Sequence, residues 1–230
     1  MRSSGFKILN FREQMDYNRN TNAEYSNETA IGFIPCYGQP FSVLMIDPPW
    51  LKKKGGLRKV RPNQVRNLDY ETMPTNKIFD LLDAEIFNKT TKNHAVFMWT
   101  IEQYLNDCDK YMEQRGYKRH CRFIWDKTNG VAPAFTVRYS HEYLVWYYKE
   151  KMMPIAKEQR GKFMTVFSEK AREHSRKPEY AYKMIEALYP NENRIDVFSR
   201  EKREEWCQFG NQTDHFVVSS NNGLLTNKLK

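Results

Sequence analysis

The sequence predicts an α/β fold of Rossmann-like type, a mostly parallel central sheet with helices on both faces. Two observations lead there. Short, continuous apolar runs recur along the chain, and runs without polar alternation belong to strands buried on both faces. Between several of them lie segments with helical apolar spacing, and strands joined by such segments line up in parallel. The 230 residues, 40% hydrophobic and 14% aromatic, suffice for one core of this kind and exclude a globally disordered chain.

In chain order, residues 1–30 read as a polar arm with a short helix near residues 11–17. Residues 31–214 form the folded domain, and residues 215–230 a flexible polar tail. The first buried strand is predicted over 42–46 and the next over 95–99. Ile78, Phe79, Leu81, Leu82 and Ile86 between them have helical spacing. Thr100 followed by Gln103 reads as a capping box for a helix that runs to about Gln114 and stops before Gly116. Further strands are predicted over 122–125, 143–147, 163–167 and 194–198. Pro178 suits the first turn of a last helix whose apolar face, Tyr182, Met184, Ile185 and Leu188, runs up to Pro190.

Composition narrows the function. Lys and Arg number 37 against 28 Asp and Glu, a net charge of +9 that favours a polyanionic partner. Cys36, Cys108, Cys121 and Cys207 are widely spaced, with no Cys-x-x-Cys pair, so reduced thiols and no metal are expected. No stretch approaches the ~20 apolar residues of a membrane span, and residues 1–7 lack the apolar run of a secretory signal. A soluble, intracellular protein without a membrane partner is the expectation.

Parallel sheets take their ligands beyond the carboxyl ends of their strands. Directly after the first predicted strand stands Asp47-Pro48-Pro49-Trp50. Proline fixes φ and lacks an N–H, so the turn is stiff and offers a carboxylate, a free carbonyl and a flat ring. Those groups suit the exocyclic amine of a planar base. Two acceptors orient the N–H bonds while an aromatic wall holds the ring, and an electrophilic methyl in line can then be transferred. An acid capping a turn before a strand-stopping Pro-Pro is the ordinary alternative.

The tetrapeptide resembles the signature of the MT-A70 family of S-adenosylmethionine-dependent adenine N6-methyltransferases. Similar segments follow in the family's order. They are Tyr70-Glu71-Thr72-Met73, Phe97-Met98-Trp99-Thr100, Ile124-Trp125-Asp126-Lys127-Thr128-Asn129, Ser175-Arg176-Lys177-Pro178-Glu179 and Phe209-Gly210-Asn211-Gln212. The resemblance covers about residues 43–214 and implies a methyltransferase catalytic domain over 31–214 with a permuted motif order. It implies that Asp47 and Pro48 engage the target amine and that Pro49 and Trp50 form the base pocket. Tyr70 borders that pocket, with Trp125 and Lys127 on the substrate side. For S-adenosyl-L-methionine it implies Asp47, Lys177 at the carboxylate, Arg200 at the ribose, and Asn211 with Gln212 at the ribose and adenine end. Lys177 also precedes a helix N-terminus, which favours an anion. Between Arg200 and Trp206 the chain is charged where the family's RNA-modifying members carry a His-Asn pair.

Between Leu51 and Arg66 the chain carries Lys52, Lys53, Lys54, Arg58, Lys59, Arg61 and Arg66 with no acid. A basic loop leaving the base pocket suits the phosphates flanking an extruded nucleotide. Lys118, Arg119, His120, Arg122 and Lys127 form a second basic cluster, and Lys170, Arg172, His174, Arg176 and Lys177 a third. No separate nucleic-acid-binding module accompanies them. Within the family, the Asn- and Lys-rich composition resembles the ciliate DNA adenine methyltransferases. That likeness implies the catalytic subunit of a complex with a paralogous inactive methyltransferase-like subunit, further DNA-binding subunits, and a nuclear location in a eukaryote. DNA is the expected substrate. RNA, a noncatalytic scaffold paralogue and a binding module without chemistry are the alternatives.

Overall fold

The computed structural model describes residues 32–33, 40–51, 71–129, 137–173 and 175–216. Its strands are β1 (Gly32–Phe33), β2 (Phe41–Ile46), β3 (Thr90–Thr100), β4 (Tyr117–Asp126), β5 (His141–Lys149), β6 (Val166–Ser168), β7 (Arg194–Val197) and β8 (Trp206–Gly210). The helices are α1 (Thr75–Glu85), α2 (Leu105–Gln114) and α3 (Glu179–Leu188). One sheet runs in the order β1-β8-β7-β2-β3-β5-β4-β6.

The strands β8, β7, β2 and β3 are mutually parallel, as are β4 and β6. β5 lies antiparallel between β3 and β4, and β1 antiparallel beside β8. Six strands therefore point one way, in line with the expected mostly parallel sheet.

All six residues of β2 are buried because its two faces meet different layers. Leu44 and Ile46 pack with Val96 and Met98 of β3 and with Ile78, Phe79 and Leu82 of α1, Cys108 and Met112 of α2. Val43 and Met45 pack with Ala95 and Phe97 and with Met184, Ile185 and Leu188 of α3. Adjacent residues facing opposite layers are the period-two rule of a strand, and they explain why the run is apolar without alternation. Each of those fully buried aliphatic side chains contributes about 1.5–3 kcal/mol.

Some elements depart from expectation. The strand expected over 163–167 pairs only over Val166–Ser168. β8 was not expected as a strand. Thr100 is the last residue of β3, paired with Tyr143, so it cannot cap a helix; a 3-10 turn over Glu102–Tyr104 leads into α2 instead. The predicted stop does hold. Gly116 adopts φ +76° and its N–H donates to the Glu113 carbonyl at 2.8 Å. Cys108 and Cys121 are free thiols, whereas Cys207 is disulfide-bonded and not reduced as expected, a pairing that spacing along the chain does not report.

Among the described residues, no helix is long and apolar enough to cross a membrane, and no group of three His, Cys, Asp or Glu residues is placed to hold a metal. The polar arm over 1–30, with its short helix near 11–17, lies outside the described residues, as does the tail expected over 215–230 beyond Phe216, which is buried and bridged to Glu201.

Candidate functional site

The common strand direction brings Asp47 after β2, Thr100 at the end of β3, Phe198 after β7 and Asn211 after β8 to one edge of the sheet. Antiparallel β5 brings its beginning, Glu142, to the same edge, paired with Trp125. A cavity of about 840 Å³, open to solvent, lies there. It is walled by Asp47, Pro48, Pro49, Trp50, Met73, Trp99, Ile101, Glu142, Ser175, Lys177, Phe198, Arg200, Gly210, Asn211 and Gln212.

The Asp-Pro-Pro-Trp turn is held at every residue. Asp47 N–H donates to the Val197 carbonyl at 3.0 Å. The Pro48 carbonyl accepts from Trp50 N–H and the Pro49 carbonyl from Met73 N–H, both at 2.8 Å. The Pro48 carbonyl is thus not free as expected, and only its second lone pair remains for a ligand. The Trp50 indole donates to the Trp99 carbonyl at 3.1 Å and stacks on Tyr104 with centroids 4.9 Å apart. Tyr104 in turn donates to the Leu51 carbonyl.

A chain of alternating charges crosses the pocket. Lys177 Nζ lies 3.0 Å from Asp47 Oδ1 and 3.0 Å from Glu142 Oε2, and Lys127 Nζ lies 2.6 Å from Glu142 Oε1. Burial alone would push the Glu142 carboxyl up, but the Lys177 and Lys127 ammonium groups outweigh it and bring it down to about 2. Burial would likewise lower Lys177, yet Asp47 and Glu142 hold it above the usual lysine range. Both charges therefore persist at neutral pH. Lys177 also sits 5.3 Å from the centroid of the Trp99 ring.

The amides at the start of α3 are not available to a ligand anion. Glu179 N–H and Tyr180 N–H donate to the two carboxylate oxygens of Glu169 at 2.8 and 2.9 Å. Any attraction at Lys177 comes from its own ammonium group. On the other side, Arg200 Nε donates to Gln212 Oε1 at 2.8 Å, and its guanidinium lies 4.8 Å from the Phe216 ring centroid. Phe198 and Ser175, both in the wall, adopt φ +62° and +67°, a strained conformation for residues with a Cβ. The turn at Phe198 survives because Phe198 N–H and Ser199 N–H both donate to the Phe209 carbonyl, at 2.6 and 3.1 Å.

Of the expected site residues, Asp47, Pro48, Pro49, Trp50, Lys177, Arg200, Asn211 and Gln212 come together in this wall. Trp125 does not. It is 3% exposed, donates to the Glu169 carbonyl at 2.8 Å and supports Trp99 edge-on, so it belongs to the core beneath the pocket. Lys127 reaches the pocket only through Glu142. Tyr70, Lys52, Lys53, Lys54, Arg58, Lys59 and Arg61 lie outside the described residues.

The other two basic clusters are largely spent on internal partners. Arg119 and Arg122 share Asp109, Arg176 pairs with Glu201 and Glu173, and Arg172 donates to the Lys177 carbonyl. The charged stretch after Arg200 has a similar explanation. Glu201 and Arg203 join Arg176 and Glu179 in one ion-pair network.

Sequence reasoning missed Glu142, Trp99, Phe198 and, beneath the pocket, Asp196. Trp99 and Phe198 stand at carboxyl ends of strands, the place the strand-end rule designates. Glu142 stands at the start of a strand and carried no such signal.

A mostly parallel sheet with a mixed-charge pocket at its strand ends defines a Rossmann-like α/β ligand-binding domain. Residues 41–212 match the MT-A70 family, and the chain belongs to that family. Over 208 residues it is 24% identical to the probable N(6)-adenosine-methyltransferase MT-A70-like of Oryza sativa subsp. japonica, covering 83% of this chain and 27% of that protein. It is 24% identical over 178 residues to the N(6)-adenosine-methyltransferase MT-A70-like of Arabidopsis thaliana, covering 75% and 24% of the two. A putative N(6)-adenosine-methyltransferase MT-A70-like of Medicago truncatula is also 24% identical, over 83% of this chain and 31% of its own. The chain thus spans about a quarter to a third of the length of the curated relatives it matches.

Proposed function

We propose that this protein transfers a methyl group from S-adenosylmethionine to the N6 amine of adenine in DNA. The observation that carries the reading is the placement of Asp47. Its side chain is 20% exposed at the pocket wall, ion-paired to a buried lysine, on a turn whose carbonyls are fixed.

The wall also fits the cofactor. A ligand with a carboxylate, an ammonium group and a sulfonium needs both signs of charge and a π-face. Lys177 and Arg200 supply the cations, Asp47 and Glu142 the anions, and Trp99 and Phe198 the rings. Lys177, Arg200, Asn211, Gln212 and Asp47 are the residues that would hold it. When bound, it supplies an electrophilic methyl.

The chain's own part is positioning. Asp47 accepts one N–H of the target amine and the second lone pair of the Pro48 carbonyl the other, which orients nitrogen and raises its electron density. Trp50, braced by Tyr104 and Trp99, forms a wall for an adenine taken out of its stack.

DNA is preferred on the compositional likeness to the ciliate enzymes, and the same likeness supports a paralogous inactive subunit, further DNA-binding subunits and a nuclear location. The test is transfer of a labelled methyl to matched DNA and RNA oligonucleotides, with the protein alone and with such a subunit. Transfer to adenine is expected, to DNA above RNA, and the reverse ratio assigns RNA as substrate. Asp47→Ala should abolish transfer while calorimetry still detects S-adenosylmethionine. Near wild-type turnover in that variant refutes the role of Asp47.

A further inference from the structure

Beside the main cavity lies a side pocket of about 260 Å³, with Asp47, Lys177, Phe198 and Arg200 in the walls of both. A second acid, Asp196 of β7, is in its wall. Asp196 pairs in register with Met45, two residues before Asp47, so the two acids stand on neighbouring parallel strands near the same end of the sheet. Asp196 is 2% exposed. Tyr182 of α3 donates to its Oδ2 at 2.8 Å, and the nearby Ser199 hydroxyl donates to the Glu201 carbonyl at 2.9 Å.

Among the described residues, no lysine or arginine forms an ion pair with Asp196. The nearby cations are committed elsewhere. Lys177 holds Asp47 and Glu142, Arg176 holds Glu201 and Glu173, Arg203 holds Glu179 and Glu201 while lying 3.5 Å over the Tyr182 ring, and Arg200 in the same wall donates to Gln212 and lies over the Phe216 ring. A buried acid without a paired cation is costly to keep ionised and ready to accept a proton.

We propose that Asp196 is the proton acceptor behind Asp47, taking the proton that adenine N6 gives up during methylation. The inference rests on the methyltransferase reading above. N6 forms its bond to the methyl carbon as the bond from that carbon to sulfur breaks, the electron pair staying on sulfur. N6 then carries one proton too many, and Asp47, which accepts that N–H, takes it. Asp47 is a poor resting place because Lys177 at 3.0 Å favours its anion. Only one of the two acids need carry the proton, and the one without a paired cation holds it better. The proton therefore moves on to Asp196 through the polar space between them, and leaves to water after turnover.

Burial, with the negative charge of Asp47 added, pushes Asp196 up to about 7, despite the opposing hydrogen bond from Tyr182, the nearby Ser199 hydroxyl and the charge of Arg203. An acceptor ionised just above neutrality has the acidity that proton transfer near pH 7 favours.

The first measurement is a carboxyl-carbon NMR titration of the protein without ligands, with Asp196 assigned from its Asn variant. A midpoint near 7 that falls in Asp47→Asn is expected. A midpoint in the ordinary carboxylate range, or one indifferent to Asp47, overturns the proposal.

The second is single-turnover methyl transfer to an adenine oligonucleotide as a function of pH. The wild-type rate should rise with pH through about 7. Asp196→Asn should lower the plateau by about 100-fold, lose that rise and leave S-adenosylmethionine affinity unchanged, with partial rescue by Asp196→Glu. An unaltered rate and pH profile in Asp196→Asn, or a loss confined to cofactor affinity, overturns it. A wild-type protein that moves no methyl to adenine overturns the proposed function and this inference together, whereas an active wild type with an indifferent Asp196→Asn overturns this inference alone.

Discussion

Replacing Glu142 with Gln removes the central anion from the series Lys127–Glu142–Lys177–Asp47 while keeping its shape. The carboxyl is held at about 2 against an ordinary 4.5. At about 1.4 kcal/mol per pH unit, its interactions stabilise the folded chain by at most about 3.5 kcal/mol at neutral pH. The amide introduced by Glu142→Gln would retain an acceptor for one ammonium group, yet Lys127 would lose the only carboxylate it pairs with among the described residues, and Lys177 one of two. Urea unfolding at pH 7 should show a loss of about 2–3 kcal/mol, close to the cost of breaking a buried ion pair.

The pH dependence is the sharper test. An acid whose folded value is depressed stabilises fully above its unfolded value and loses that contribution as pH falls through its folded one. The gap between wild type and Glu142→Gln should therefore close between about 4.5 and about 2. A gap that is as wide near the acid end of that window as at pH 7 means the charges do not hold the site together, and the reasoning fails.

A Cβ added at Gly210 would lie 2.7 Å from the backbone oxygen of Ser199, too close without moving β8 away from the Phe198 turn. Gly210→Ala should weaken S-adenosylmethionine binding by about tenfold or more in calorimetry, and unchanged affinity would show that the close approach does not matter to the ligand. Trp50→Phe loses the bond to the Trp99 carbonyl and should cost about 1 kcal/mol of stability. Trp50→Ala also empties a site only 5% exposed and should cost about 3–5 kcal/mol, so equal losses in the two variants would refute the packing role. Neutralising Lys52, Lys53 and Lys54 together should reduce the slope of log affinity against log salt by up to about 3 for a nucleic acid, and an unchanged slope returns those lysines to ordinary solvated surface.

The parts of the fold legible in the sequence are those that bury two faces. β2 and β3 carry continuous apolar runs because helices cover both sides, and α3 shows its single apolar face as helical spacing. β8 escaped because its five residues include Gln208 and end in Gly210, and its burial comes from neighbours distant in sequence. Strand direction left no mark on composition. The apolar run of β5 reads the same whichever way it points, so the strand-end rule looked past Tyr147 and missed Glu142. Charge runs were legible as charge but not as surface. Arg119 and Arg122 face Asp109, and Arg176 faces Glu201, through contacts between residues 10 to 25 positions apart. The Asp-Pro-Pro-Trp turn was legible because proline fixes its geometry locally.

What the turn lacks by itself is a reason for Asp47 to remain an anion beside an apolar wall. A solitary carboxylate there would drift toward its neutral form, and a neutral acid is a poor acceptor for an amine N–H. One lysine alone would correct that but form a compact, nearly neutral pair. Sharing Lys177 with Glu142 leaves the three groups with a net negative charge. Lys177 engages Asp47 at Oδ1, a charge-assisted contact that fixes the orientation of that carboxylate. The site is thus biased to attract hydrogen-bond donors and positive charge, which a target amine and a sulfonium both bring. Lys127 at the far end offsets Glu142 rather than Asp47, so the excess negative charge sits on the cavity side of the series. The same logic makes a proton on Asp47 unstable and gives Asp196, without a paired cation, its reason to receive it.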